Sequence, residues 1–171
     1  MVSNVAGKSL FHPNPERSAT LPSGYYFDPK VYSREVEEIW FKTWQFVGYI
    51  YDLKEPGDFI TADILNQKVL VSRGKDGRLR AFFNVCMHRG HILAEGKGNK
   101  TIFTCPFHAW SYDTTGALKA AGNAENVAGF KFMDFGLSEI RVEQLGHMVF
   151  VNLSDQGPAL AAMCGEIVDE F

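Results

Sequence analysis

Cysteine is scarce in this sequence, and so are basic clusters and long apolar runs. The three cysteines, Cys86, Cys105 and Cys164, are too few for a small domain held together by disulfides. No basic cluster is longer than two residues and the formal net charge is −3, which argues against a nucleic-acid partner. No segment has the length of a membrane helix, and the N-terminus lacks the apolar core of a signal peptide. These absences predict a cytoplasmic protein that binds neither nucleic acid nor membrane, with cysteines that are ligands, nucleophiles or core residues.

Apolar and aromatic residues are abundant instead. Hydrophobic residues make up 46% of the 171 residues, and they include 14 Phe, 6 Tyr and 3 Trp. This composition argues against disorder, and the length suits one ordinary domain with an appended arm.

The first 44 residues are predicted to form an arm and an amphipathic helix. Residues 1–27 are rich in Pro, Ser and Asn, which is typical of an arm that lies over a domain or moves in solvent. Asp28 is a good N-cap and Pro29 suits the first helical position, so a helix is expected over roughly residues 29–43. An apolar stripe on this helix is expected to be buried; it consists of Tyr32, Val36, Ile39, Trp40 and Trp44.

Residues 45–154 have the pattern of a β domain. Before Cys86, four short β-branched and aromatic runs are separated by turn signals such as EPGD and KDGR. Beyond Cys86 the runs KTIFTC, WSYDTTGALK and IRVEQLGHMVFVNL continue this pattern. The predicted fold is therefore mostly β, a small sandwich or barrel.

Residues 155–171 return to a helical pattern. We expect the start of a linker helix here, which either docks on the β domain or leads into further polypeptide. Cys164 is expected to be a core residue of this helix. The apolar stripe comprises Leu160, Met163, Cys164, Ile167, Val168 and Phe171.

Four potential metal ligands form a spaced motif, C-x-H-x16-C-x2-H, from Cys86 and His88 to Cys105 and His108. Two Cys and two His suffice for a closed tetrahedral zinc site. However, C-x-H is an uncommon half-site for zinc, because structural zinc knuckles separate paired ligands by two to four residues. Each half also supplies one thiolate and one imidazole, which suits a two-iron cluster with both thiolates on one iron and both imidazoles on the other. Both metals remain open on spacing alone.

The motif resembles that of the Rieske [2Fe–2S] domain. The flanking Arg89-Gly90 and Ala109-Trp110 are similar to those of ring-hydroxylating and related Rieske oxygenases, and the likeness covers most of residues 22–154. The resemblance implies a small Rieske-type β-sandwich with two cluster-binding loops, preceded by the N-terminal arm and helix. It also implies that a [2Fe–2S] cluster is held by Cys86, His88, Cys105 and His108. The residues around this cluster would be Arg89, Gly90, His91, Phe107, Trp110 and Tyr112.

The neighbours of the motif indicate a redox class. High-potential Rieske proteins carry a disulfide between the two loops, but the matching positions here are His91 and Phe107. They also place a serine hydroxyl near a cluster sulfide, where this chain has Trp110. Tyr112 could still donate a hydrogen bond to sulfur. The potential is therefore expected in the lower part of the Rieske range of about −150 to +300 mV, as in centres fed by a flavin and iron–sulfur reductase or a ferredoxin.

Three functions are consistent with these features. In the oxygenases that the chain resembles, the Rieske centre passes electrons to a mononuclear Fe(II) held by two His and one carboxylate, often in a neighbouring subunit of a trimer. No such triad is expected from the remaining His12, His91 and His147, so the chain is expected to transfer electrons but not to oxygenate alone, whether its oxygenase acts as a monooxygenase or a dioxygenase. The alternatives are a free-standing Rieske ferredoxin and a zinc-stabilised interaction module.

The substrate of such an oxygenase is a weaker inference. The segments CMHRGH and GNAENVAGF are similar to oxygenases of quaternary ammonium compounds, while aromatic-ring hydroxylation is the alternative. Outside the motif, His147 is expected to be a strand histidine with a local hydrogen bond. Arg89 is expected to hold its loop by bonding to a carboxylate or carbonyl, and Trp110 to shield the cluster from water.

Overall fold

The computed structural model describes residues 12–124 and 126–170, apart from the side chain of Asp169. It has two compact units, which divide between Ile39 and Trp40. Residues 1–11 of the predicted arm lie outside the described part. None of the helices in that part is long and apolar enough to cross a membrane.

The N-terminal helix begins as predicted but ends early. The Asp28 side chain accepts the N–H of Lys30 at 2.9 Å, and α1 spans Pro29–Glu35. A π-helical turn then covers Val36–Trp40, so the helical segment ends three residues before the predicted residue 43 and is only partly α-helical. An apolar pattern only about two turns long fits the 3.6-residue period of an α-helix and the wider turn of a π-helix equally well.

The apolar stripe of this segment is not the buried face that we predicted. Tyr32 is 55% exposed, Ile39 51% and Trp40 39%. Helical periodicity identifies residues that share a face, but it does not show what covers that face.

In the part of the chain that the structure describes, ten strands form two antiparallel sheets, which confirms the mostly β prediction. The larger sheet has the order β1-β10-β9-β4-β3-β2-β5, and the smaller has the order β6-β7-β8. The strands are β1 Gln45–Tyr49, β2 Asp58–Ile64, β3 Gln67–Arg73, β4 Leu79–Phe83, β5 Lys97–Asn99, β6 Ile102–Thr104, β7 Ser111–Asp113, β8 Leu118–Ala120, β9 Glu139–Leu145 and β10 Met148–Asn152.

The central strands of the larger sheet are buried on both faces. Successive side chains of a strand point to opposite faces, and here Leu70 and Val71 belong to two different clusters of buried residues. In β4, Phe82 belongs to the first of these clusters and Ala81 to the second. One cluster joins this sheet to the smaller sheet and includes Cys86 and Cys105. Burial on both faces explains why these runs are continuously apolar rather than alternating.

The turn between β7 and β8 brings backbone against the core. Gly116 has φ +79°, and a Cβ there would lie 2.5 Å from Cε1 of Phe82, which is 1% exposed. Gly116→Ala is therefore expected to lower the free energy of unfolding by about 3 kcal/mol, from strained backbone plus overpacking. Gly77→Ala is the matched control, because Gly77 has φ +75° with nothing within 4 Å, and it should cost about 1 kcal/mol. If urea unfolding gave the same loss of unfolding free energy for both variants, the clash with Phe82 would be contradicted.

Residues after β10 are held against the sheet and then enter a short helix. The Arg141 guanidinium donates to the carbonyls of Gln156 and Pro158 at 2.8 and 2.9 Å, and the Glu143 carboxylate accepts the N–H of Leu160 at 2.8 Å. Helix α2 spans Leu160–Cys164 and is followed by a 3-10 segment, Gly165–Glu170.

The predicted C-terminal stripe is mostly unburied. Leu160 is 5% exposed, but Met163 and Ile167 are each 54% exposed. Cys164 is half-buried, so its prediction as a core residue is wrong. Phe171 lies outside the described residues. The helical regularity is interrupted at Gly165, whose φ of +56° is left-handed.

Candidate metal centre

Two loops with the same backbone hydrogen bonds carry the four residues of the motif. In the first loop, after β4, the N–H of Cys86 donates to the carbonyl of His91, and the N–H of Gly90 to that of Cys86, both at 2.8 Å. In the second loop, between β6 and β7, the N–H of Cys105 donates to the carbonyl of Trp110 at 2.8 Å. The N–H of Ala109 donates to the carbonyl of Cys105 at 2.9 Å. Each cysteine is thus enclosed by a tight turn formed by the following residues.

Both turns need a left-handed residue four positions after the cysteine. Gly90 has φ +71° and Ala109 has φ +57°. Glycine takes this conformation at little cost, whereas alanine is strained by about 1 kcal/mol. The second loop therefore holds backbone strain beside His108, as is common where a structure positions a functional group.

The four side chains fit a metal cluster. Cys86 and Cys105 are 2% and 3% exposed, and neither forms a disulfide. The rings of His88 and His108 have centroids 4.6 Å apart. Their Nδ1 atoms are buried, and neither has a hydrogen-bond partner. Buried polar atoms are nearly always satisfied, so two unpartnered ring nitrogens beside two buried thiols are the donors that a metal group would bind.

Each loop contributes one thiol and one imidazole. A closed zinc site requires four donors around one ion. A two-iron cluster requires only two protein donors on each iron, because bridging sulfides complete the coordination. Within residues 12–124 and 126–170, no group of three or more His, Cys, Asp or Glu side chains is placed to hold one metal ion. Two thiols and two imidazoles are the number and kind of donors that a two-iron cluster with mixed ligands requires.

Tyr112 connects the second loop to the first. This residue is fully buried, and its hydroxyl oxygen accepts the N–H of Met87 at 3.0 Å and lies 3.4 Å from Sγ of Cys86. Since the oxygen is already the acceptor for Met87, its proton can point to the sulfur. Burial, together with the neighbouring Cys86, raises the pKa of Tyr112 well above its usual value, so the hydroxyl stays protonated. The predicted donor to sulfur is thus in place.

Aromatic rings cover part of the two histidines. Trp110 is 5% exposed and stacks on His88, with centroids 4.9 Å apart and planes 13° apart. Phe130 and Phe135 pack edge-on against the indole. The ring centroids of Phe107 and His108 are 4.0 Å apart. Trp110 therefore covers one face of His88, where we expected it to exclude water.

The surroundings of His108 favour its neutral form. Partial burial lowers the pKa of its imidazole, and the neighbouring His88 and Arg89 lower it further. A neutral imidazole is the form that binds a metal.

The other residues predicted around the cluster differ in role. Arg89 is exposed, and within the described chain it makes no hydrogen bond or ion pair, so the structure does not support the bond that we expected. Gly90 supplies the left-handed turn. His91 and Phe107 are exposed, with ring centroids 6.0 Å apart. The two loops thus approach each other at the positions where high-potential proteins have their disulfide, but no cysteine stands there.

His147 belongs to neither of the two loops. His147 is in the turn between β9 and β10, stacked on Tyr51 at 5.0 Å, so its prediction as a strand residue is wrong. The apolar residues before and after Gly146 form one run in the sequence, so the turn between the two strands was not predicted. Gly146 has φ +54° in this turn.

Two features of the site were missed in the sequence. Phe130 and Phe135 pack on Trp110, and the aromatic spacing of GFKFMDF was the available signal. Asn84 is 2% exposed and bonds to residues beyond the first loop. A polar residue inside the apolar run LRAFFNVC was its signal.

Comparisons with known proteins agree with this geometry. The family model for the Rieske [2Fe-2S] domain matches residues 43–131. The carnitine monooxygenase oxygenase subunit of Escherichia coli (strain K12) is 37% identical over 171 residues, which cover 93% of this chain and 46% of the relative. The chloroplastic choline monooxygenase of Beta vulgaris is 40% identical over 139 residues, which cover 81% of this chain and 31% of the relative.

Solved structures show the same fold. A quaternary ammonium Rieske monooxygenase in complex with L-carnitine superposes with a TM-score of 0.86 and 33% identity, covering 90% of this chain and 44% of that one. Naphthalene 1,2-dioxygenase with bound indole superposes with a TM-score of 0.75 and 30% identity, covering 81% of this chain and 32% of that one. The chain thus spans less than half the length of these relatives. It belongs to the Rieske [2Fe–2S] domain family and is homologous to the oxygenase subunits of Rieske oxygenases that include carnitine and choline monooxygenases.

Proposed function

We propose that this chain is a one-electron relay, in which Cys86 and Cys105 ligate one iron of a [2Fe–2S] cluster and His88 and His108 ligate the other. The observation that carries the proposal is the pair of buried, unpartnered Nδ1 atoms of His88 and His108 beside two buried free thiols. The cluster, when bound, accepts and returns one electron. Neutral imidazoles in place of two thiolates make that electron easier to accept, because the cluster carries less negative charge.

The residues of the chain hold and insulate this group. The thiols lie in the core, and both imidazoles are partly exposed, so the imidazoles offer the shorter route between the cluster and the surface. Trp110 covers a face of His88 and limits contact with water. The Tyr112 hydroxyl donates to Sγ of Cys86, which favours the more negative, reduced form.

We infer that the relay serves an oxygenase. The electron donor would be a flavin and iron–sulfur reductase or a ferredoxin, and the acceptor a mononuclear Fe(II) in a catalytic domain of the same longer chain or of a neighbouring subunit. Two findings support this: the chain covers only 46% of its carnitine monooxygenase relative, and one related structure is described as revealing inter-subunit electron transfer. A trimer and a cytoplasmic location remain predictions.

The substrate class proposed for the whole protein is a quaternary ammonium compound. Relatives named for carnitine and choline match at 37% and 40% identity. Among the solved structures, the carnitine-bound monooxygenase matches with a TM-score of 0.86 and 33% identity, and naphthalene 1,2-dioxygenase with a TM-score of 0.75 and 30% identity. These similarities favour the oxygenase domain over a free-standing ferredoxin. The match to the Rieske [2Fe-2S] family model disfavours the zinc module.

A reductive titration tests the relay. Anaerobic addition of dithionite should bleach the visible absorption after one electron per chain, and ferricyanide should restore it. The apoprotein, freed of iron by acid and chelator, is the control and should take up no electron. Uptake of two electrons, or none, by the iron-loaded chain would contradict the proposal.

A further inference from the structure

The two cluster loops are closed at their bases in different ways. The second loop is a hairpin, because β6 and β7 pair directly and place Phe103 opposite Tyr112 and Thr104 opposite Ser111. The first loop follows β4, which ends at Phe83, and the next strand, β5, begins only at Lys97. No strand pairs with residues 84–94, which contain Cys86 and His88.

The side chain of Asn84 takes the place of that missing ladder. Its Oδ1 accepts the N–H groups of Leu93 and Ala94 at 3.2 and 3.1 Å, and its Nδ2 donates to the carbonyl of Ala94 at 2.7 Å. One amide therefore satisfies three backbone groups across the base of the loop. An amide side chain offers an acceptor and two donors side by side, as a peptide group in a ladder does.

We call the three hydrogen bonds of the Asn84 side chain the Asn84 clamp. The residues on both sides of this clamp are held by other contacts. The backbone N–H of Asn84 donates to the carbonyl of Lys68 on β3 at 2.8 Å. Leu93 and Ala94 are each 6% exposed and belong to the same buried cluster as Cys86 and Cys105. Asn84 itself is 2% exposed, so water cannot replace its bonds.

We propose that Asn84 is a positioning residue for the cluster: it sets the separation of the two ends of the first loop and thereby the placement of Cys86 and His88. This inference rests on the proposed function of the loop, although the clamp itself is a property of the polypeptide. Side chains that orient metal ligands affect metal retention by about 10- to 100-fold.

Asn152 provides the matched control. It is also a buried asparagine, 2% exposed, and its amide donates to the carbonyl of Lys42 at 3.2 Å and accepts the N–H of Ser154 at 2.9 Å. It lies in β10 and bonds to neither cluster loop. Asn152→Ala thus removes the same side chain, and with it two partly buried hydrogen bonds elsewhere in the fold.

The test compares Asn84→Ala and Asn152→Ala with the parent chain. Both should lower the midpoint of thermal unfolding of the apoprotein. Only Asn84→Ala should release iron to a chelator roughly tenfold faster, and only Asn84→Ala should shift the g values of the dithionite-reduced spectrum. Equal release rates and identical spectra for the two variants would overturn the inference. A parent chain without a Rieske spectrum would instead overturn the proposed function.

Asn84→Asp extends the test to a gentler change. Burial favours the neutral acid at this position. Its carbonyl oxygen can accept from Leu93 and Ala94, and its single O–H can donate to the Ala94 carbonyl, where the amide had two N–H donors. We expect a folded protein with iron release intermediate between the parent chain and Asn84→Ala. If neither Asn84 variant folds while Asn152→Ala does, Asn84 acts only in stability and the positioning role is overturned.

Discussion

Replacing Cys105 by serine is expected to reduce the [2Fe–2S] content to less than about a tenth of that of the parent chain. A serine hydroxyl is not ionised at neutral pH and is a poor ligand for iron, whereas the thiolate is the natural one. Cys105 is 3% exposed and lies in a loop with strained backbone, so no other donor can replace it without rearrangement. His88→Ala should cause a similar loss. The measurement is iron and acid-labile sulfide per chain after anaerobic reconstitution.

Residues of the same types outside the loops are the controls. Cys164 is a half-buried thiol on α2, and His147 is stacked on Tyr51 in a turn. Cys164→Ser and His147→Ala should retain the full cluster content. A cluster that survives Cys105→Ser but is lost in Cys164→Ser would contradict the ligand set.

Tyr112→Phe is expected to lower the reduction potential by roughly 40 mV. A hydrogen bond to a ligand sulfur favours the reduced cluster, which carries one more negative charge, and a preference of about 1 kcal/mol corresponds to that shift for one electron. The variant also leaves the N–H of Met87 without its partner, so the free energy of unfolding should fall by about 1–3 kcal/mol.

Tyr49→Phe is the control for this effect. Tyr49 is 52% exposed on β1, and its ring packs on Phe46. Potentials from titrations monitored by the reduced spectrum should coincide for Tyr49→Phe and the parent chain. An unchanged or raised potential in Tyr112→Phe would show that the hydroxyl does not donate to Sγ of Cys86.

Local patterns predicted much of the fold because they report local physics. The β-branched and aromatic runs became β1 to β4 and β9 to β10, because their apolar side chains pack into clusters of buried residues. In β2, β3 and β4 the side chains enter both clusters. Strand β5, Lys97–Asn99, was not predicted, since its residues are exposed and its pairing with β2 is a tertiary property. The stripes in α1 and α2 were misjudged because periodicity does not reveal what covers a face.

The candidate site was predictable where ligands follow a spacing and unpredictable where contacts span the chain. The motif places Cys86, His88, Cys105 and His108 in two loops, and these loops do come together. The bond from the N–H of Met87 to Tyr112 joins residues 25 positions apart, so only the fold reveals it. The clamp at Asn84 joins the two ends of a loop whose path the sequence does not specify.

The [2Fe–2S] centre is tested most directly by the electron paramagnetic resonance spectrum of the dithionite-reduced chain, recorded with iron, sulfide and zinc assays on the same sample. We expect a rhombic signal integrating to about one spin per chain, with two irons, two sulfides and no zinc, as for a His-ligated [2Fe–2S] centre. The absence of a rhombic iron–sulfur signal, together with one zinc per chain, would contradict this expectation.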